Sequence, residues 1–476
     1  MVGTQGHCAV LDCSGGISHD QSQHPETQMN MELKNKNLSV IGLGKTGVAV
    51  ANFLSQRGAS VTVMDSKPRE QLLKFVKQLS ADVNTVFQNS EPASDAELIV
   101  LSPGVDIHSP FLQNASRAGV EIISEIELAS RFNTAPIVAI TGTNGKSTCT
   151  SLITEIIRQS GKTVHSGGNL GTPFISLLDQ GIVDYRVLEV SSFQMEATSG
   201  LHPIVSVILN ISPDHMDRHK DLRSYVSLKE KIFAHQTQDD FLILNQDDPI
   251  TRDMGEHIQA ERIFFSTQVE LDKGIFLRGD KIIARIQNSE REIISLETLS
   301  KGLKWQIENI LPAVATALLL GVPQESVLRV LKNFEGLEHR LEWVRTLNGI
   351  DFVNDSKGTN VGSVCKSLNT FDRPIVLIAG GKDKETDFSP LKNLFKQKVR
   401  HLILIGETRS KFKAVLNGSF GYEESDSLEE AVYLAKAKAQ YGDVVLLSPA
   451  CASFDMFKDF EDRGNCFKTI VNNLEG

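Results

Sequence analysis

The chain has 476 residues, of which 41 % are hydrophobic and 23 % charged, and its formal net charge is −10. That length exceeds one ordinary core and predicts two to four domains of globular type. The acidic balance weighs against nucleic acid as the main partner, and no run of 18 apolar residues offers membrane insertion.

Six cysteines (Cys8, Cys13, Cys149, Cys365, Cys451, Cys466) are scattered without a CxxC pair, which suits a reducing compartment and gives no metal-ligand spacing. Residues 1–32 lack the basic and apolar regions of a signal peptide; they are rich in Gly, Ser, His and Gln and are read as a disordered extension, with Met29 or Met31 as alternative starts. The expectation is a monomeric cytoplasmic enzyme.

A strand at Leu38 to Ile41 leads into Gly42-Leu-Gly44-Lys-Thr-Gly47, and a helix continues from Val48 to Gln56. A second strand, Ser60 to Met64, ends at Asp65. Taken alone this is a dinucleotide fingerprint with its ribose-binding acid. Strands at about Leu98 to Leu101 and Glu121 to Ile123 complete a Rossmann-like unit over 33–124, suited to a diphosphate ligand of either the NAD or the sugar-nucleotide kind.

A central domain, 125–336, carries the strongest local signal, PIVAITGTNGKSTCTS from Pro136 to Ser151. A β-branched strand, a turn of Gly142, Thr143, Asn144 and Gly145, and a helix opening with Lys146, Ser147 and Thr148 form a phosphate cradle. Lys146 supplies a point charge for the terminal phosphates, and the Ser147 hydroxyl suits Mg²⁺. Strands near Thr163 to Ser166, Arg186 to Val190, Val205 to Asn210 and Phe241 to Asn245 alternate with helices, the pattern of a parallel sheet covered on both faces. Four acidic or metal-competent positions, Glu189, Asn210, Asp214 and His215, fall at strand C-terminal ends, where function gathers in such sheets. A carboxylate at Glu189 needs a cation, either a metal or a lysine. Asp214-His-Met-Asp-Arg-His219 reads as a metal or substrate loop, with a solvated loop as the alternative. On the helix from Leu222 to Phe233, Tyr225, Leu228 and Ile232 form the apolar stripe; Lys229 borders it and, from the residues alone, reads as a snorkelling lysine.

The third domain, 337–476, begins near His339-Arg340 and repeats the alternation at Phe352 to Asn354, Ile375 to Ala379, His401 to Ile405 and Val444 to Leu447. The fold class is therefore α/β in three domains: a Rossmann-like unit, a central parallel-sheet domain of P-loop ATPase type, and a second Rossmann-like unit. Two basic-looped domains around a triphosphate cradle suggest two substrates joined at the expense of ATP.

Seven motifs in order carry a resemblance: TGTNGKST (141–148), GGNLGTP (167–173), EVSSFQ (189–194), DHMDRH (214–219), EHRLE (338–342), NDSKGTN (354–360) and LSPACASFDMFKDFEDRG (447–464). Over Leu38 to Leu474 the chain resembles the Mur ligases of peptidoglycan synthesis, relatives of the folylpolyglutamate synthetases, and among them those that add D-glutamate. The resemblance implies ATP-dependent joining of D-glutamate to UDP-N-acetylmuramoyl-L-alanine through an acyl phosphate, with two Mg²⁺ ions. It assigns Lys146 and Ser147 to the phosphates and first Mg²⁺, Glu189 to metal, and His215 to a second Mg²⁺. It makes Lys229 an N-carbamate, a reading the residues alone do not suggest. It places Asn309, His339, Arg340 and Asp355 with Gly142 to Thr148 against ATP. Lys45, Thr46, Asp65, Ser66, Gly104 and Asn169 fall to the UDP-substrate, and Lys357, Thr359, Lys384, Ser453, Phe454 and Phe460 to D-glutamate. One departure stands out. Relatives carry His-Asn where this chain has Trp305-Gln306, so Trp305 reads either as an adenine stack or as core, and Gln306 receives no role. The competing class is a nicotinamide-dependent oxidoreductase built on the first domain, which leaves the cradle unexplained; an ATP-gated regulator without chemistry is a third.

Overall fold

A computed structural model describes residues 32–475 apart from 90, 92–94, 170, 217, 287–288, 384–385 and 419. Three sheets divide the chain. The first has five parallel strands in the order Asn84–Phe87, Ser60–Asp65, Asn37–Ile41, Leu98–Leu101, Glu121–Ser124. The order reverses beside the strand that feeds the glycine turn, which puts a crevice at that turn. Helix Lys45–Gln56 starts there with Gly44 as N-cap and no side chain bonded to its first amides, so those donors are left for a ligand.

The central sheet has nine strands. Six run parallel from Val164–Gly168 at one edge through Tyr185–Glu189, Ile137–Thr141, Val205–Ile208, Phe241–Asn245 and Glu261–Ser266, and Gly274–Arg278 joins them in parallel. Lys281–Ile286 and Ser289–Ser295 then extend the sheet antiparallel. This last meander was not expected from sequence: its edge strand exposes Ser289 to Arg291, and the charged pairs Arg278–Glu290 and Lys281–Glu292 hide an apolar pattern while blunting the edge. Helix Ile307–Leu319, whose middle is the most apolar stretch of the chain, lies in the core against Leu152, Ile153 and Ile156 of the cradle helix.

The third sheet orders Glu342–Leu347, Ile350–Asn354, Val444–Leu447, Ile375–Gly380, Val399–Ile405 and Tyr422–Glu424, with only the first pair antiparallel. That pair is a hairpin turned at Asn348-Gly349, both at positive φ (50° and 75°), the primed-turn signature. The sheet was expected to open at His339-Arg340. It opens at Glu342 instead, because His339 (φ 65°) and Leu341 (φ 48°) turn the chain in the left-handed region and break any strand there.

Glu125 follows directly on the last strand of the first sheet. It opens helix Glu125–Phe132, is 1 % exposed, accepts from the Ile175 amide at 2.7 Å through Oε1, and has no partner for Oε2 among the described residues. Burial raises its pKa to about 7, against the pull of the Ile175 and Phe174 amides. A carboxyl raised on folding binds its proton more tightly in the native state, so its stabilising effect is complete below the unfolded value and is lost as pH rises through about 7. Glu125→Gln is therefore expected to melt like the parent at pH 4.5 but to be more stable at pH 8, by up to about 3 kcal/mol. Thermal unfolding at the two pH values measures this, and equal differences at both would contradict it.

Candidate active site

The cradle is built from backbone. Strand Ile137–Thr141 ends at Gly142 (φ 144°), and Gly145 (φ 90°) caps helix Lys146–Gln159 without a side chain, which leaves the first-turn amides free to meet an anion. Asn210, expected as a metal-competent position, clamps this loop instead: its Oδ1 accepts from the Asn144 amide at 2.9 Å, and its Nδ2 donates to the Asn144 carbonyl at 3.0 Å. Thr143 is held by the Asn210 carbonyl, and its hydroxyl bonds to the Ser212 carbonyl and the Tyr225 hydroxyl. Lys146 folds back to donate to the carbonyls of Gly142 and Thr143, both at 2.9 Å, and burial lowers its pKa. Thr148 is buried in the first turn.

Around the cradle the predicted groups converge. Ser147 donates to Glu189 Oε2 at 2.6 Å, and Asn169 donates to Glu189 Oε1 at 2.6 Å, so Asn169 stands at the phosphate end of the site. Lys229 is the largest correction to the sequence reading. Far from snorkelling, it is 1 % exposed, donates to the Gly142 carbonyl at 3.0 Å and the Thr141 hydroxyl at 3.3 Å, and lies 4.5 Å from the centre of the Tyr225 ring. Leu228 is only half-buried, so the inward stripe is Tyr225, Lys229 and Ile232. Burial, then the neighbouring Lys146, drives the Lys229 pKa well below its ordinary value. His215 (φ 55°) is exposed, edge-on to Phe193 at 4.9 Å and 3.8 Å from Asp214, while the buried His219 bonds to Ser192.

The metal expectation divides. Ser147 and Glu189 present a hydroxyl and a buried carboxylate side by side, a hard oxygen pair that suits Mg²⁺ completed by phosphate and water. No group of three or more His, Cys, Asp or Glu positioned for a metal occurs among the described residues, so a second ion at His215 would rest on substrate oxygens or a modified Lys229.

The third domain reaches the same point. Arg340 Nη2 donates to Ser147 Oγ at 2.8 Å, and Asn360 Nδ2 to Asp214 Oδ2 at 3.4 Å. Lys366 pairs with Glu308 across the same junction. His339 and Asp355, expected against the nucleotide, are both buried and hydrogen-bonded within the third domain. His339 is 3 % exposed and bonds through Nδ1 to Asn354 at 3.0 Å. Asp355 accepts from the hydroxyls of Ser367 and Ser448, both at 2.7 Å, and from the Leu341 amide; burial raises its pKa to about 6. The two brace the segment that aims Arg340. Trp305 packs on Phe371 of the third-domain core, 5.1 Å between rings, which favours its core reading over an adenine stack.

Of the residues expected to hold D-glutamate, Lys357 lies over the Phe460 ring at 3.8 Å, and the Thr359 amide donates to the Lys357 carbonyl at 2.8 Å. Ser453 is buried and Phe454 is 66 % exposed; Lys384 lies outside the described residues. Sequence reasoning missed Arg463. Three residues beyond Phe460 and 1 % exposed, it donates to Ser356 Oγ and the carbonyls of Ser356, Cys451 and Ala452, stitching together the loops that carry Lys357 and Ser453. Its helical spacing from Phe460 was the available signal.

In the first domain Asp65 accepts from the amides of Leu43 and Lys67, at 2.8 and 2.9 Å, and so shapes the glycine turn beside Thr46 and Ser66. Lys45 donates to the Gly171 carbonyl across the domain junction, and Arg218, doubly bonded to Glu196, reaches the carbonyls of Gly104 and Val105.

Residues 36–124 match the N-terminal domain of the MurD-like Mur ligases, 140–317 the Mur ligase middle domain and 339–451 the Mur ligase glutamate ligase domain. The chain belongs to the Mur ligase family. It is 46 % identical to the UDP-N-acetylmuramoylalanine--D-glutamate ligase of Geotalea uraniireducens, covering 94 % of this chain and 99 % of that protein. It is 44 % identical to the protein of the same name from Trichlorobacter lovleyi, over 93 % and 100 %. Its fold is that of a pseudomurein peptide ligase type C from Methanothermus fervidus, with a TM-score of 0.57 at 19 % identity, covering 93 % and 100 %. The first-domain match removes the nicotinamide reading.

Gly145 offers a direct check on the cradle. A Cβ there would lie 2.1 Å from Asn309 Oδ1, at a φ that alanine disfavours. Gly145→Ala is expected to weaken ATP binding by about a hundredfold or more, measured by calorimetry, while UDP-substrate affinity is unchanged. Undiminished ATP binding would count against the assignment.

Proposed function

We propose that the protein is an ATP-dependent ligase that adds D-glutamate to UDP-N-acetylmuramoyl-L-alanine, a cytoplasmic step in peptidoglycan precursor synthesis. The observation that carries this reading is the contact of Arg340, from the glutamate ligase domain, with Ser147 of the phosphate cradle. The name borne by relatives at 44–46 % identity supports the choice of substrates. The groups assigned to the reaction all come from this one chain, which supports a monomer as the working form.

In this reading the substrate carboxylate attacks the γ-phosphorus of ATP, the bond to the β–γ bridging oxygen breaks, and ADP leaves. The amine of D-glutamate then attacks the acyl phosphate carbon, loses a proton, and expels phosphate as the C–O bond breaks. Three anionic substrates converge, so preorganised positive charge is the principal catalytic requirement. The free amides of the cradle helix and Lys146 hold the transferring phosphates, and Arg340 neutralises charge as the phosphoryl moves. Ser147 and Glu189 would hold one Mg²⁺, and His215 with Lys229 as a carbamate a second; such ions supply charge neutralisation at the phosphoryl oxygens. The burial of Lys229 beside the Gly142 carbonyl supports the carbamate, because an amine kept from water is cheaper to hold neutral, and the neutral form is the one that adds CO₂. Lys45, Thr46, Asp65, Ser66 and Gly104 serve the uridine diphosphate, with Asn169 nearer the carboxylate. Lys357, Thr359, Lys384, Ser453, Phe454 and Phe460 orient D-glutamate.

Two measurements test this. Phosphate release from ATP with UDP-N-acetylmuramoyl-L-alanine is expected with D-glutamate, and not with L-glutamate, L-alanine or meso-diaminopimelate; release with another acceptor would move the chain to a sister specificity. Lys229→Ala is expected to lose nearly all activity and to regain part of it with added short-chain carboxylates, and failure to recover would remove the carbamate.

A further inference from the structure

Two glycine turns, Gly42 to Gly44 in the first domain and Gly142 to Gly145 in the central one, are joined by a continuous set of contacts. The first-domain loop from Ser102 to Val105 is tied to its own turn, because the Ser102 hydroxyl donates to the Gly42 carbonyl at 2.8 Å. The carbonyls of Gly104 and Val105 accept from Arg218 of the central domain, at 3.3 and 2.6 Å. Glu196 takes the other edge of the same guanidinium with both oxygens, at 3.2 and 2.6 Å, and the two side chains are only 20 % and 11 % exposed. A planar fork fixed along one edge by a carboxylate has its remaining donors fixed in direction, which a single ammonium would not provide.

From Arg218 the contacts continue inward. Its guanidinium lies 5.2 Å from the centre of the Phe193 ring, which stacks on His219 at 5.3 Å and meets His215 edge-on. His219 is buried, bonded to Ser192 at 3.0 Å and tilted against Tyr225 at 5.1 Å. The Tyr225 hydroxyl reaches Thr143 of the phosphate cradle at 3.2 Å. Lys231, just beyond the helix that carries Tyr225, donates to the carbonyls of Met195 and Glu196 and ties the Glu196 turn to the same column.

We infer that Arg218 is a positioning residue that couples the two turns, so that the UDP-substrate and the nucleotide each bind more tightly when the other is present. The inference rests on the ligase reading, in which Gly104 serves the uridine diphosphate and Thr143 the nucleotide. A ligand settling against Gly104 fixes the loop whose carbonyls Arg218 holds. Close-packed side chains transmit such a change rather than absorb it, and the column from Phe193 to Tyr225 ends on the cradle. The coupling is reciprocal by linkage. Its use is chemical: the cradle is fully formed when the carboxylate that must receive the phosphoryl group is in place, and water is a poorer competitor.

The test is calorimetric titration of UDP-N-acetylmuramoyl-L-alanine with and without Mg²⁺ and the β,γ-imido analogue of ATP, from which no phosphoryl group is transferred. The wild-type chain is expected to bind the UDP-substrate about tenfold more tightly with the analogue present. Arg218→Gln, which lacks both fork and charge, is expected to bring that ratio to within about twofold, while its affinity for the analogue alone stays within about twofold of wild type. A loss of packing alone would weaken binding without changing the ratio. Glu196→Gln keeps the shape of the partner but frees one side of the fork; it carries the same expected loss of coupling where Arg218→Gln does not fold. A wild-type ratio near one overturns the inference, and so does a folded variant that keeps the wild-type ratio. Failure of the wild-type chain to bind either ligand alone would instead remove the ligase reading and this inference with it.

Discussion

The structure depends on gathering positive charge in a place where water is scarce. Lys146 and Arg340 come from two parts of the chain and meet around Ser147 and Glu189, with the Lys229 amine buried beside them. Each is perturbed downward first by burial. Lys146 also disfavours the charge on Lys229, and Arg340 disfavours the charge on Lys146. Such an arrangement opposes folding stability, since like charges in a poorly solvated site repel and lose hydration. It is favourable once a triphosphate and a carboxylate enter, because a preorganised field does not have to be assembled during reaction. Among the described residues Glu189 is the carboxylate bonded directly within the cluster, and its two oxygens are held by Ser147 and Asn169 rather than by a lysine.

Keeping that cluster together is the task of the domain junction. The chain turns between Leu337 and Glu342 through two residues at positive φ, and Arg340 lies between them. His339, Asn354 and Asp355 secure the turn from the third-domain side, while Gln306 takes the Arg340 carbonyl from the central side. Buried polar groups in such a network rigidify only when all are satisfied. Here Asn309 Oδ1, against Gly145, is the atom without a partner among the described residues.

Much of this was legible in the sequence because the informative segments are backbone-driven. The buried strand Ile137–Thr141, with glycines at 142 and 145 and a lysine and serine opening the next helix, leaves little alternative. Strands in the interiors of the three sheets read as continuous apolar runs and were placed to within a residue or two. What was illegible depends on partners distant in sequence. Lys229 reads as a snorkelling lysine because its buried partners, the Thr141 hydroxyl and the Gly142 carbonyl, lie nearly ninety residues earlier. Asn210 reads as a ligand, since nothing local shows that its amide is spent on Asn144. The 274–295 meander is masked by salt-bridged charges on an edge. The Asn348-Gly349 hairpin was overlooked although its turn signature is local.

The departure at Trp305-Gln306 shows how such a site tolerates change. Relatives are expected to carry a shorter amide at position 306. Gln306, one methylene longer, spans the gap between Asn309 and the Arg340 carbonyl while Trp305 fills space against Phe371. The two substitutions act on one junction. The pair therefore belongs to the geometry of the domain junction, Gln306 through the Arg340 carbonyl and Trp305 through Phe371.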